Sequence, residues 1–204
     1  MAIHLHHNDL PADVSFTGSV AVDSETMGLN PHRDRLCVVQ LSDGDGDAHL
    51  VKFDGQDYSA PNLKKVLEDR SLVKIFHFAR FDIAVFRQWL EVETAPLYCT
   101  KIASKLARTY TDRHGLKDVV RELAGVELSK QQQSSDWGAE VLTDAQQAYA
   151  ASDVLYLHEV KAGLDRMLDR QGRTGIAEAC FSFLPTRALL DLSGWAEQDI
   201  FAHS

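Results

Sequence analysis

The sequence lacks the cysteine pattern of a disulfide-bonded or zinc-binding protein. Its three cysteines, Cys37, Cys99 and Cys180, are far apart and form no C-x-x-C pair. An odd number of isolated cysteines is typical of reduced thiols packed in a protein core. We therefore expect three free thiols and no disulfide framework.

Long hydrophobic runs are also missing. No apolar stretch reaches the length of a membrane span, and residues 1–7 have no signal-peptide pattern. The histidines in that stretch fit a partly exposed strand better than a transition-metal site. There are no internal repeats or low-complexity segments, so we expect one cytoplasmic domain over residues 1–204.

Positive charge is scarce as well, with 21 Lys and Arg against 30 Asp and Glu and a net charge of −9. This balance argues against a broad groove that binds long nucleic acid through its phosphates. A nucleic-acid substrate should be short, or held by a local basic patch. Lys101, Lys105 and Arg108 stand at i, i+4 and i+7, which predicts a basic stripe on one helix face. That stripe is either such a patch or a solvated surface.

The first quarter of the chain has the pattern of a β-sheet. Residues 19–25 form a short apolar strand, and residues 35–41 and 48–53 are rich in β-forming side chains. The intervening segment, 42–47, has the acidic spacing of a calcium loop but lacks the glutamate that would complete an EF-hand. It therefore predicts a hairpin turn, and the three strands should be antiparallel.

Helices and strands alternate in the middle of the chain. A helix is predicted from Pro61, a buried parallel strand over residues 71–76, and a second helix from Phe81 to Leu90. The region 100–124 predicts two helices separated by a break near its centre. This order predicts an α/β fold with a mixed central sheet flanked by helices.

The C-terminal part is expected to be helical. A capping box at Thr143 opens a long helix that should continue to about Arg170. A further helix, over residues 174–191, contains Pro185, which should kink or break it. Large apolar residues continue to the end of the chain. We therefore expect the tail, residues 192–204, to pack on its own domain or on a neighbouring subunit.

Acidic side chains occur at three separate places in this predicted fold. Asp23 and Glu25 end the first strand, and because they are two residues apart they project from the same face. Asp82 follows the parallel strand, at the edge where α/β sheets bind ligands. Asp153 lies on the long helix, one turn after Tyr149. Together these acids predict oxygen ligands for two divalent cations of the kind that catalyse phosphoryl transfer.

These segments resemble the motifs of the DEDD 3′–5′ exonucleases, in the branch that carries a tyrosine in its third motif. Residues 23–25, 77–82 and 149–153 match the three motifs in order, although the family more often has asparagine where this chain has His77. The resemblance implies a ribonuclease H-like fold with a C-terminal helical extension. It assigns the four acids to metal binding and Tyr149 to orienting the attacking water, with a core tyrosine as the structural alternative.

The surrounding sequence is similar to particular branches of that family. Residues 130–137 are similar to a K-x-x-x-x-S-D-W segment of ribonuclease D, and residues 147–157 to its third-motif helix. The chain length, residues 109–117 and residues 199–204 resemble nano-RNase C, a compact bacterial branch. The resemblance implies a diribonuclease that splits dinucleotides such as pGpG into mononucleotides, uses Mg²⁺ or Mn²⁺, and assembles as a ring-shaped homo-octamer.

A dinucleotide-specific site must measure the length of its substrate. Leu29 matches a leucine that wedges between the two bases in similar dinucleotidases, and a buried loop anchor is the alternative. A bound 5′ phosphate would exclude longer chains, because its charge-assisted bonds need a free end. The other candidate substrate-binding residues, which a neighbouring subunit could contribute in part, are Thr26, Met27, His77, Arg108, Tyr110, Arg113, His114, Lys130 and Gln131.

Two other functions are compatible with the sequence. The first is a general 3′–5′ exonuclease that trims longer RNA or DNA. The second is a nuclease-like fold that only binds nucleic acid or protein partners. Loss of a metal-binding acid would favour the second, whereas all four acids and the tyrosine are present.

Overall fold

A mixed six-stranded sheet forms the centre of the computed structural model, which describes residues 2–55, 57–129, 131–132 and 134–203. The strands are β1 (Ile3–His7), β2 (Ser19–Thr26), β3 (Leu36–Ser42), β4 (Ala48–Lys52), β5 (Val73–Phe76) and β6 (Leu97–Cys99). Their order across the sheet is β1-β4-β3-β2-β5-β6. The pairs β2–β3 and β3–β4 are antiparallel, and the other three pairs are parallel.

The predicted hairpin and the parallel strand after it are confirmed. In β2, residues Val20, Ala21 and Val22 are fully buried, and all of β3 is buried, as expected for the interior of a sheet with both faces covered. Strand β5 pairs with β2 only at Ser19–Ala21, whereas β3 pairs with it from Ala21 to Thr26, so β3 holds the carboxyl end of β2 in place. The acids of the first motif lie at that end.

Seven α-helices surround the sheet within the described ranges. They are α1 (Pro61–Glu68), α2 (Ala79–Trp89), α3 (Thr100–Ala107), α4 (Leu116–Ala124), α5 (Asp144–Leu155), α6 (Leu157–Arg170) and α7 (Thr174–Leu190). A short π-helical turn, Asp191–Trp195, follows α7. The predicted helix after Pro61, the two helices over residues 100–124 and the capping box at Thr143 are confirmed.

The prediction of one long helix to Arg170 is wrong. Helix α5 ends at Leu155, Tyr156 leaves helical geometry at φ −105° and ψ 0°, and α6 begins at Leu157. The break lets one continuous segment cover two surfaces, because α5 packs on the sheet and α6 packs on α3 and α4. The helical periodicity of the sequence continues through the break and therefore does not predict it. The break results from tertiary packing.

Pro185 is predicted to kink or break its helix, and the break does not occur. Helix α7 continues through Pro185 to Leu190. Proline removes one backbone hydrogen bond. Burial of Phe181, Leu184 and Ala188 holds the helix against the rest of the domain on both sides of the proline.

The core and the tail complete the domain. Cys37 and Cys99 are buried, Cys180 is partly buried, and all three thiols are free, as predicted. No helix in the described part of the chain has both the length and the apolar character needed to cross a bilayer. The C-terminal segment contacts its own domain, since the Phe201 ring centroid lies 5.8 Å from that of Phe183.

Candidate active site

Three carboxylates from two distant segments meet at the carboxyl end of β2. Ligand oxygens of Asp23, Glu25 and Asp153 all lie within 4.8 Å of one another. Strand alternation places the first two side by side, and α5 carries the third across the sheet. This is the one such group of acidic, histidine or cysteine ligands in the ranges that the structure describes.

The fourth predicted acid, Asp82, lies beside this group but outside it. It sits in the first turn of α2 and is only 3% exposed. Its Oδ1 accepts a 2.7 Å hydrogen bond from the hydroxyl of Ser24. Its charge nevertheless contributes to raising the pKa of each of the other three acids, so all four form one electrostatic cluster.

Burial and mutual repulsion disfavour the ionised form of every acid in the cluster. Burial raises the pKa of Glu25 to about 9, with further contributions from Asp153 and Asp82. Burial likewise raises the pKa of Asp82 and of Asp153 to about 7, and that of Asp23 well above its usual value. A cation between the carboxylates would reverse these shifts.

The donor set fits a hard divalent cation. Such ions prefer several carboxylate oxygens in close proximity, which Asp23, Glu25 and Asp153 provide. The raised pKa values of the cluster are a second indication of a cation site. Four acids so close together are costly to ionise without a counter-charge.

Tyr149 borders the same cluster. The centroid of its ring lies 6.0 Å from that of the buried Trp137, so the two rings pack together. Burial, followed by the charges of Asp153, Glu25 and Asp23, raises the pKa of Tyr149 far above neutral pH. The hydroxyl therefore keeps its proton and can act through hydrogen bonds.

The cluster opens into a cavity of about 680 Å³. Most of the predicted catalytic and substrate-binding residues near the first motif line this cavity. They are Asp23, Glu25, Thr26, Met27, Leu29, His77, Tyr149 and Asp153. The volume is within the range of small-molecule sites.

Leu29 stands at the mouth of the cavity and is 85% exposed, so it is not a buried loop anchor. The buried carboxylate of Asp34 stabilises the loop that carries Leu29. Its Oδ2 accepts a 2.9 Å hydrogen bond from the backbone N–H of Asn30. A side chain at Gly28 would clash with that carboxylate. The loop thus projects Leu29 from a rigid base.

His77 lines the cavity. Its Nδ1 is 2.9 Å from Thr100 Oγ1, and burial, followed by the charge of Lys101, lowers its pKa to about 3. The ring is therefore neutral. Its buried Nε2 has no hydrogen-bond partner of good geometry among the described residues.

The predicted basic stripe on α3 is wrong at Arg108. Helix α3 ends at Ala107, so Arg108 turns inward and is only 1% exposed. Its guanidinium donates to Glu122, to Ser104 Oγ at 2.9 Å and to the backbone carbonyl of Arg113 at 2.7 Å. Arg108 therefore braces the 108–115 loop.

The remaining candidate phosphate ligands lie away from the cavity of this chain. The Tyr110 hydroxyl donates to Glu122, and His114 Nδ1 pairs with Ser104 Oγ at 2.9 Å. The side chains of Arg113 and Gln131 are exposed outside the cavity. Lys130 lies outside the described residues.

Two lysines that sequence reasoning did not assign to the site line the cavity instead. Lys101 lies on α3, and Lys117 lies in the first turn of α4. Residues 101–117 contain five Lys or Arg and one Asp, a net charge of +4, and this concentration of positive charge is the sequence signal for the two lysines. The sequence could not show which of its basic residues face the acids.

Comparison with known proteins agrees with this geometry. A family model described as a 3′–5′ exonuclease matches residues 7–169. The chain belongs to this 3′–5′ exonuclease family, whose members depend on divalent metal ions, and its mixed sheet with flanking helices is the ribonuclease H-like fold.

Within the family, the chain is similar over its full length to NrnC of Brucella melitensis. It is 61% identical to the Mg²⁺-bound and pGG-bound structures of that protein, with TM-scores of 0.95 and 0.97 and 100% of both chains covered. Ribonuclease D of Acidiphilium cryptum is 36% identical over 154 residues, which are 76% of this chain and 39% of that protein. The chain spans about two fifths of the length of such curated relatives.

Proposed function

We propose that this chain is a cytoplasmic diribonuclease of the tyrosine-containing DEDD type, which hydrolyses dinucleotides such as pGpG to mononucleotides in the 3′–5′ direction. The observation that carries the proposal is the cluster of Asp23, Glu25 and Asp153 within a cavity of only about 680 Å³. The full-length likeness to NrnC bound to pGG supports a short RNA substrate.

Two divalent cations, Mg²⁺ or Mn²⁺, would be held by Asp23, Glu25, Asp82 and Asp153. When bound, such ions supply activation of the attacking water and neutralisation of charge on the phosphate and the leaving 3′ oxygen. Ser24 keeps Asp82 oriented through its 2.7 Å hydrogen bond. The likeness to a Mg²⁺-bound neighbour supports the metal, and the family resemblance supports the pair.

The chain's other residues would bind and orient the substrate. Tyr149 remains protonated, so its hydroxyl orients the attacking water and does not act as the base. Lys101 and Lys117 line the same cavity and would supply positive charge for the substrate phosphates. Leu29 separates the two bases, and Thr26, Met27 and His77 line the space beside it.

We also propose that the chain forms a ring-shaped homo-octamer. Exposed apolar side chains near its C-terminus, Trp195, Ile200 and Phe201, support an interface there. In an octamer, the exposed side chains of Arg113 and Gln131, together with His114, would reach a neighbour's cavity. Light scattering coupled to size exclusion tests the assembly, and a monomeric mass would contradict it.

A general 3′–5′ exonuclease on longer RNA or DNA is the second candidate. It is favoured by the likeness to ribonuclease D, including the Escherichia coli structure at 26% identity and a TM-score of 0.75, which covers 89% of this chain and 48% of that one. Such an enzyme would need a substrate path beyond the small cavity.

Turnover on RNAs of two, three and seven nucleotides separates the candidates. A diribonuclease should cleave pGpG at least tenfold faster than the longer RNAs, whereas equal rates would contradict the proposal. Asp153→Asn should lower turnover by about 10²-fold or more, because a metal ligand acts on transition-state charge worth several kcal/mol. Asp165→Asn, a surface acid on α6, is the matched control and should retain full turnover.

A further inference from the structure

Three histidines share one face of the sheet at its β1 edge. His4 and His6 lie two residues apart on β1, so their side chains project from the same face. His49 on β4 is the register partner of His4 in the parallel β1–β4 pair, which places its ring beside theirs. The group of His4, His6 and His49 is named the histidine cluster below. None of the three lines the catalytic cavity.

Two rings of the histidine cluster have nitrogens at the spacing of ligands to one ion. Nε2 of His6 and Nδ1 of His49 lie 3.0 Å apart. Zinc–imidazole bonds are about 2.0–2.1 Å long, so two nitrogens on one Zn²⁺ lie roughly 3–3.5 Å apart. In the structure one neutral ring donates its N–H to the bare nitrogen of the other. A cation would take the place of that proton, and each ring would carry its single proton on its other nitrogen.

His4 supplies the third ring. Its centroid lies 4.9 Å from that of His49 and 6.5 Å from that of His6, and the rings are nearly parallel. The three rings are therefore stacked, and their nitrogens do not yet converge on one point. The side chain of His4 is 45% exposed, and its Nε2 lies 3.8 Å from Oδ2 of Asp47. A turn of this exposed ring would complete a site of three nitrogens while the backbone stays in place.

The charge around the histidine cluster favours a bound cation. Burial, followed by the charge of a neighbouring histidine, lowers the pKa of His6 and of His49, so both rings are neutral at pH 7 and offer lone pairs. Three aspartates of the β3–β4 turn attract positive charge at His49. They are Asp43, Asp45 and Asp47. The same attraction would act on a metal ion held by the three rings.

Ligand chemistry separates the histidine cluster from the acidic site. Imidazole nitrogens suit Zn²⁺, Ni²⁺ and Cu²⁺, whereas Mg²⁺ prefers oxygen ligands. The carboxylates of Asp23, Glu25 and Asp153 offer oxygen only. Excess Mg²⁺ should therefore fill the acidic site and leave the histidines available to a transition metal.

We propose that His4, His6 and His49 form a second metal site, which binds one Zn²⁺ and ties strand β1 to β4. Strand β1 lies at one edge of the described sheet, where its backbone pairs with β4 on one side. The ion would add a side-chain link between these two strands. The site is independent of the proposed nuclease function. The spacing of the first histidines did not reveal it, because His49 joins them from a strand more than forty residues later.

Zinc binding in excess Mg²⁺ tests the site. Isothermal titration calorimetry counts the Zn²⁺ ions bound per chain by the wild type and by His49→Gln, which removes the ring that lies between the other two. The wild type should bind one ion more than His49→Gln. In His4→Ala, which changes an exposed side chain, the affinity for that ion should fall at least tenfold. An equal number of ions in the wild type and His49→Gln would overturn the site, and unchanged affinity in His4→Ala would overturn its role as a ligand.

Two control variants locate the ion. His7 lies on the same strand but projects from the opposite face, where its Nδ1 is 2.6 Å from Oδ2 of Asp54. His7→Gln should therefore bind Zn²⁺ as the wild type does. Asp153→Asn should also keep the additional ion, because the acidic site does not hold it. Loss of that ion in either variant would overturn the assignment to the histidine cluster.

Nuclear magnetic resonance of the wild type gives a readout that does not depend on the folding of any variant. Zn²⁺ should shift the imidazole nitrogen resonances of His4, His6 and His49 and leave those of the exposed His203 unchanged. Amide exchange in β1 and β4 should slow about tenfold, because the ion binds the folded pair of strands. Resonances of the three rings that do not respond to Zn²⁺ would contradict the proposal.

Discussion

The hydroxyl of Ser24 donates a 2.7 Å hydrogen bond to Oδ1 of Asp82, so the middle residue of the first acidic motif orients the acid of the second. The bond crosses between β2 and α2, which are 58 residues apart in sequence at this point. It also opposes the effect of burial, because a hydrogen bond to the carboxylate lowers the pKa of Asp82. Ser24 therefore holds the carboxylate of Asp82 in place beside the three clustered acids.

Ser24→Ala should weaken the metal site. Loss of the hydrogen bond raises the pKa of Asp82, so more of this acid is protonated at a given pH. The Mg²⁺ concentration for half-maximal activity should rise by about tenfold, and the acidic limb of the pH–rate profile should move to higher pH. Ser42→Ala is the control, since Ser42 is a buried serine on β3 that bonds the carbonyl of Asp47. An unchanged Mg²⁺ requirement would contradict this role.

The metal-free protein should lose stability as pH rises. The pKa of Asp82 and Asp153 is raised to about 7 and that of Glu25 to about 9. The cost of ionising them in the folded state is absent below about pH 4, where both states are protonated, and complete above about pH 9. Mg²⁺ should remove that cost.

Thermal unfolding with a chelator and with saturating Mg²⁺ measures the effect. The difference in Tm should widen by about 5–10 °C between pH 5 and pH 9. Asp153→Asn, which removes one of the coupled acids, should show a weaker pH dependence in chelator. A gap that stays constant or narrows with pH would contradict the electrostatic account.

Tyr149→Phe should lower kcat by about 10²-fold while leaving Tm nearly unchanged. The ring packs beside Trp137 and would be retained, so only the hydroxyl near the acids is lost. Single-turnover kinetics measures the chemical step. Tyr156→Phe, at the break between α5 and α6, is the matched control with wild-type activity expected. Full turnover in Tyr149→Phe would show that Tyr149 is only a core residue.

Asp191→Asn should loosen the C-terminal segment. Asp191 accepts hydrogen bonds from Arg80 and from Arg187, and it is mostly buried between them. Since Arg80 is partly exposed, the loss should be about 1–2 kcal/mol, which lowers Tm by about 2–8 °C. Hydrogen exchange should increase in residues 191–203 and at the start of α2. Glu178→Gln on the outside of α7 should have no such effect, and equal exchange in both variants would contradict the link.

Local sequence patterns were sufficient for most elements and for the acidic cluster. The alternation of Asp23 and Glu25 on β2, the capping box at Thr143 and the four-residue spacing of Tyr149 and Asp153 each depend on nearby residues only. Fully apolar strands and regular helical spacing then indicate which strands and helices pack against one another. The bonds that hold Asp82 at its place could not be read from such patterns.

The features that were missed depend on partners far away in sequence. Arg108 turns inward because Glu122, fourteen residues later, accepts its guanidinium bonds. The break at Tyr156 arises because α5 and α6 pack on different surfaces. Strand β6, with three residues, is too short for any periodicity to reveal. At Arg108 and Tyr156 a tertiary contact outweighed the local preference.

The tight fit between Gly28 and the carboxylate of Asp34 gives a simple criterion for sorting related sequences. A chain that builds this loop in the same way needs a residue without a β-carbon at one position and a short acid six positions later. Where either is replaced by a larger side chain, the leucine that follows the glycine should lose its fixed outward direction. Related sequences that keep both residues are therefore the ones in which this leucine should stay fixed at the mouth of the catalytic cavity.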